Sequence, residues 1–106
     1  MIVTRETLST LKENDVIKIN DRKLVVFRNN CECNTAMING ELEATKKWQE
    51  IALFDDNGFE YLLVVDPRES VPLEFYHLTR KYMSPPCEEE HTKILIKSFS
   101  FSKQKL

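Results

Sequence analysis

The stretch Thr35-Ala-Met-Ile-Asn39-Gly40-Glu-Leu-Glu-Ala-Thr45-Lys-Lys-Trp48-Gln-Glu-Ile-Ala-Leu-Phe54-Asp-Asp-Asn57-Gly58-Phe-Glu-Tyr-Leu-Leu-Val-Val65 decides the fold. It holds both glycines of the chain, and each follows an asparagine. Asn-Gly supplies the two positive-φ residues that a type I′ turn requires, which makes it the strongest short-range hairpin signal. Residues 35–38 and 41–45 flank the first pair, and residues 48–54 and 59–65 flank the second. A helix over 41–54 competes, because Leu42, Thr45, Trp48 and Ala52 approach helical spacing. The bracketing turns favour strands.

Working outward, the same period of two continues on the N-terminal side. Residues 16–20 and 23–28 read as strands joined by the compact link Asn20-Asp21-Arg22. The second of these is apolar on both faces, with Leu24 and Val26 on one and Val25 and Phe27 on the other, so a central place in a sheet is expected. Before them, Thr4 suits an N-cap, and Leu8 and Leu11 lie three apart on one side of a short helix. That helix should stop at Glu13-Asn14-Asp15, whose short polar side chains compete for the backbone.

On the C-terminal side, Asp66-Pro67 opens a turn, because proline lacks the donor that a ladder needs. Residues 73–79 read as a strand, residues 84–90 as a Pro-Pro-containing acidic loop, and residues 92–101 as a closing strand. Six to eight short strands imply a mainly β domain: a small SH3-like barrel or sandwich of antiparallel hairpins with a short N-terminal helix. The length of 106 residues fits one such domain spanning 1–106.

Composition narrows the function classes. The net charge of −2 disfavours a whole-domain nucleic-acid footprint. Two glycines leave no glycine-rich phosphate loop. No apolar run approaches the ~20 residues that span a bilayer. The N-terminus lacks the pattern of a signal peptide, and three cysteines disfavour a closed disulfide framework, so a cytoplasmic location is expected. Charge is uneven along the chain. Residues 31–70 carry three basic and nine acidic side chains, whereas residues 92–106 carry Lys93, Lys97, Lys103 and Lys105 with no acid.

The sharpest candidate constellation is Cys31-x-Cys33 with Cys87-x-x-x-His91, which uses every cysteine. Cys3His is a recognised set for structural zinc. The competing reading makes these cysteines small apolar-like residues and the intervening glutamates a solvated face. A nucleophilic cysteine, Cys87 or Cys31 with His77 or His91, meets an acidic setting in Glu32, Glu88, Glu89 and Glu90 that works against a charged thiolate. Asp55, Asp56 and Asp66 are accounted for as turn residues. His77 alternates with Phe75 on its strand, which suits a satisfied, half-buried histidine. No Ser/His/Asp or metalloprotease motif is present, so no enzyme is expected.

Trp48, Tyr61, Phe75, Tyr76, Phe99 and Phe101 belong by default to a core, although interfaces also favour such rings. Lys97, Lys103 and Lys105 beside Phe99 and Phe101 form the one nucleic-acid candidate, a platform for single strands. With no reactive constellation standing, a non-catalytic module that binds a protein partner is the leading expectation. A zinc-stabilised domain and a weak nucleic-acid binder are the alternatives.

Residues 14–27, together with Trp48-Gln-Glu-Ile-Ala-Leu53 and Tyr61-Leu-Leu-Val64, resemble an uncharacterised bacterial family of small barrel-like domains. Its pattern is Gly-Asp, strand, short turn, strand, then Trp-x-Glu-aromatic-x-Leu, a turn and a Trp/Tyr-Leu strand. Asn14 stands where that family has glycine, and Ile51 where it has an aromatic residue. The resemblance implies the barrel and carries no catalytic residues.

Overall fold

The computed structural model describes residues 4–82 and 87–101. A short helix, α1 (Arg5–Ser9), precedes seven strands: β1 (Val16–Ile19), β2 (Arg22–Ile38), β3 (Glu41–Phe54), β4 (Glu60–Val65), β5 (Glu74–Tyr82), β6 (Cys87–Lys93) and β7 (Phe99–Phe101). The strands form one antiparallel sheet in the order β6-β5-β4-β3-β2-β1-β7, curled into a half-barrel. The mainly β fold follows from the alternation, and residues 41–54 are strand throughout.

Period-two burial defines the inner face. Ile17, Ile19, Leu24, Val26, Ile51, Leu53, Leu63 and Val65 are buried there with Tyr61 and Phe75. Their register explains the clustering, since Ile17 lies opposite Leu24, Val26 opposite Leu53, and Ile51 opposite Leu63. Each such aliphatic side chain stabilises the fold by about 1.5–3 kcal/mol on burial. Leu8 of the helix and Leu11, two residues beyond its end at Ser9, join this core. Thr4 and Thr7 close a reciprocal capping box at the helix start.

The turns show which asparagines matter. Asn39 and Gly40 have φ of 52° and 81°, as a type I′ turn requires, and Asn20 and Asp21 do the same work at 53° and 62° without a glycine. Asn57-Gly58 differs from the expectation of two positive φ values. Only Gly58 is left-handed, at φ 80°. Gly58 N–H donates to the Asp55 carbonyl at 3.0 Å and Asp55 N–H to the Phe59 carbonyl at 3.1 Å. That pattern is a three-residue loop, a type I turn followed by a left-handed glycine. The reason is the Asp55 carboxylate, whose Oδ1 accepts from Asn57 N–H at 2.9 Å and Phe59 N–H at 3.0 Å. Asn14 also adopts a left-handed φ, 76°. Asparagine tolerates that conformation better than other non-glycine residues.

Two expectations about the C-terminal part need correction. Residues 87–90 were expected in a loop, but they belong to β6, while residues 84–86 lie outside the described residues. The closing strand over 92–101 is broken instead of continuous. Residues 94–98 form a strap outside any strand that crosses from β6 at one edge to β7 at the other, and Ile94 and Ile96 pack against the core. Asn20 clamps it: Nδ2 donates to the Leu95 carbonyl at 2.8 Å, and Oδ1 accepts from Lys97 N–H at 2.6 Å and Ser98 N–H at 3.2 Å.

Candidate functional site

The most conspicuous surface comes from β2 and β3, which run far past the sheet. β4 pairs with β3 only from Gln49 onward, and β1 pairs with β2 only up to Val25. Beyond those limits the two strands pair with each other alone, from Glu32 opposite Trp48 to Ile38 opposite Glu41. This ribbon is an arm roughly 20 Å long at ~3.4 Å per residue. Nearly every side chain on it is exposed, and a bulge at Asn34/Thr35 adds twist. The radius of gyration, 15.8 Å, exceeds the ~13 Å of a compact domain this size.

At the arm's end Met37 lies directly opposite Leu42, and each is 67 % exposed. Ile38 beside them is also exposed. At its root, Lys46 Nζ sits 5.6 Å from the centre of the Trp48 ring, and Trp48 Nε1 donates to Glu50 at 3.3 Å. The half-buried Trp48 also lines a shallow recess with Val64, Val71 and Pro72.

A second grouping lies at the opposite end of the sheet, where the β1–β2 and β3–β4 turns meet. Arg22 donates to the Tyr61 hydroxyl, which donates to Asp55 Oδ2 at 3.0 Å, and Arg22 stands 3.5 Å from the same carboxylate. Burial opposes ionisation of Asp55. It is outweighed by the N–H of Phe59, the Tyr61 hydroxyl, the N–H of Asn57 and the charge of Arg22, which together hold the carboxyl below its ordinary value. Burial pushes the Tyr61 hydroxyl up, and Asp55 adds to the shift. The Tyr61 ring stacks on His77, centroids 4.9 Å apart, and Phe59 meets His77 edge-on at 5.5 Å. His77 is half-buried as expected, but it is not satisfied: its Nε2 is buried without a hydrogen-bond partner. Arg22, Asp55, Lys18, Lys23 and Asp56 line an open depression of mixed charge. Arg22 and Tyr61 both engage the Asp55 carboxylate, so the network locks the two turns together.

A third polar knot holds the helix to the β4–β5 connection. Asp66 is buried, and Arg68 reaches it with Nε at 3.0 Å and Nη2 at 2.9 Å. These bonds, with the Arg68 N–H and despite burial, hold the Asp66 carboxyl far below its ordinary range. Arg5 completes the knot by donating to the Asp66 and Glu69 carbonyls.

The metal constellation expected from the sequence is divided. Cys31 and Cys33 lie on β2, while Cys87 and His91 lie on β6, with three strands between. The faces differ as well. Cys31 and Cys33 continue the pleat of Asn29 opposite Ile51, the inner face. His91 is opposite Leu78 and next to the Tyr76 ring, on the outer face. Among the described residues no group of three or more His, Cys, Asp or Glu side chains is placed to hold a metal ion. The nucleic-acid platform is also altered, since Phe99 packs against the core. Lys103 and Lys105 lie outside the described residues.

Sequence reasoning missed the continuity of the arm and the Arg22–Tyr61–Asp55 network. The first has a signal in hindsight: polar residues over 29–35 and 45–47 without a glycine or proline. The second has none, because it depends on Tyr61 and Asp55, 39 and 33 residues from Arg22. No family model, curated protein or solved structure matches this chain.

Proposed function

We propose that the chain is a non-catalytic protein-interaction module whose β2–β3 arm makes the contact. The observation that carries this reading is the Met37–Leu42 pair, two large apolar side chains opposed across the ribbon and 67 % exposed each. A two-stranded ribbon with no backing layer is at best marginally stable alone. Carrying apolar side chains at its far end costs solubility, and a partner surface that covers Met37, Ile38 and Leu42 removes that cost. Both edges of the ribbon are free to accept another strand among the described residues, which gives backbone hydrogen bonds in addition to side-chain burial.

The Arg22–Tyr61–Asp55 network does not compete as a reactive centre. Its Tyr61 hydroxyl is raised rather than activated, and Asp55 is committed to four donors. Photo-crosslinking tests the proposal: a photoreactive residue at position 37, with one at exposed position 56 as control, in cells that make the protein. The expected result is a discrete adduct at 37 that Leu42→Glu abolishes. Equal, diffuse labelling at both positions would sink the reading.

A further inference from the structure

The arm carries a second feature, at its root rather than its tip, that the interaction reading does not use. Cys31 and Cys33 are both exposed and both free. They lie opposite Gln49 and Lys47, and the register runs without a shift from Arg28 to Asn34. The pleat is therefore regular across the pair, and both thiols leave the same face with Cα atoms about 6.8 Å apart. That spacing decides what the pair can do.

A disulfide needs Cβ atoms about 3.5–4.5 Å apart. Parallel Cα–Cβ vectors on one strand keep them near the Cα spacing, so closing a bond would break the pleat. A tetrahedral zinc ion wants four ligands, and the remaining cysteine and imidazole candidates are His77 on β5 and Cys87 and His91 on β6, separated from β2 by two and three strands in the sheet order. A two-coordinate ion has neither problem. With metal–thiolate bonds of about 2.3 Å, a linear ion holds its sulfurs ~4.6 Å apart, which ordinary χ1 rotation of two same-face cysteines spans.

We propose that Cys31 and Cys33 form a two-thiolate site for a soft monovalent cation, Cu(I), on the open face of the arm. Soft thiolate ligands select Cu(I) over hard divalent ions. Binding exchanges two S–H protons for one cation, with no change of oxidation state, and leaves a bis-thiolate complex of net charge −1. Lys47, opposite Cys33, places a positive charge beside that complex. The acids of the arm do not share its inner face at this level, since Glu32 is opposite Trp48 on the other side of the pleat.

The test is an anaerobic titration of the full chain with Cu(I) buffered by bathocuproine disulfonate, read by the chelator's colour and by the ultraviolet thiolate-to-copper band. One Cu(I) per chain is expected. Loss of an outer-sphere partner already weakens metal sites by 10–100-fold, so Cys31→Ser or Cys33→Ser should each weaken binding by about 100-fold or more. Cys87→Ser should bind as the parent does. An unchanged thermal midpoint in all three variants confirms that folding is intact. The proposal falls if the Cys31/Cys33 double variant keeps the parent's affinity, if one ion is held per two chains, or if Cys87→Ser abolishes binding.

Discussion

The Asn20 side-chain amide donates to the Leu95 carbonyl at 2.8 Å, tying the first hairpin turn to a segment 75 residues later. Its oxygen accepts from Lys97 and Ser98, so one side chain satisfies three backbone groups of a strap that has no ladder of its own. The left-handed φ of 53° aims the amide at the strap. The strap is thus fastened to the β1–β2 turn by a side-chain clamp beside the β1–β7 pairing.

Asn20→Gly keeps the backbone conformation and removes the clamp. Net loss of two or three such hydrogen bonds should cost about 2 kcal/mol, measured as a shift of the urea midpoint. The loss should be local first. Amide hydrogen exchange should rise in the strap and β7 before it rises in β3 and β4. Uniform protection changes across the sheet would show that Asn20 acts only through its turn.

Core and arm should respond oppositely to truncation. Leu63 is fully buried between Ile51 and Phe75 in the register, so Leu63→Ala should cost about 2–5 kcal/mol. Leu42→Ala removes a side chain of the same size that is 67 % exposed, and should stay within about 0.5 kcal/mol. Chemical denaturation of the two variants checks this. A Leu42→Ala cost near that of Leu63→Ala would mean that the arm folds back onto the domain in solution.

The parts of this fold that could be read in advance are those where burial writes a pattern. Ile17, Ile19, Leu24 and Val26 alternate because one face of their strands is covered, and Leu8 and Leu11 are spaced for the face that covers it. The arm from Glu32 to Trp48 has no layer packed on it, so nothing forces its residues to alternate, and the chain reads there as two interrupted strands. β6 is obscured for a related reason. It is an edge strand with Glu88, Glu89 and Glu90 in it, and charge is how edges resist further pairing. The register sets residue 81 opposite residue 88 and residue 80 opposite residue 89, a pairing visible only once β5 is known to be the neighbour. The Cys31/Cys33 and Cys87/His91 halves looked like one site because ligand type was legible and strand order was not.

Stability should fall in acid, with Asp66 as a main contributor. Its folded-state carboxyl is held far below the ordinary value of 3.8 by Arg68. A depressed carboxyl stabilises the fold fully above the ordinary value, and the contribution is lost as pH falls below it toward the folded one. Asp55, also lowered, acts in the same direction. Urea unfolding should therefore give a plateau above about pH 5 and a decline below about pH 4. Asp66→Asn should be less stable at pH 7 and show a shallower acid decline. A variant with the parent's full slope would remove Asp66 from the account.

The two glycines give a final, separable prediction. Gly40 and Gly58 share nearly the same φ, 81° and 80°, and a Cβ at either would meet nothing within 4 Å. Alanine therefore brings backbone strain and no clash, about 1–2 kcal/mol at each site. Where that strain registers depends on what the turn supports. Gly58 closes the β3–β4 hairpin, whose strands build the core, so Gly58→Ala should lower global stability by the full amount. Gly40 closes the arm, which contributes little to the core, so Gly40→Ala should leave the urea midpoint nearly unchanged and instead speed amide exchange over residues 35–44. If both substitutions shift the midpoint equally, the arm is part of the cooperative unit, and its exposed tip needs another explanation.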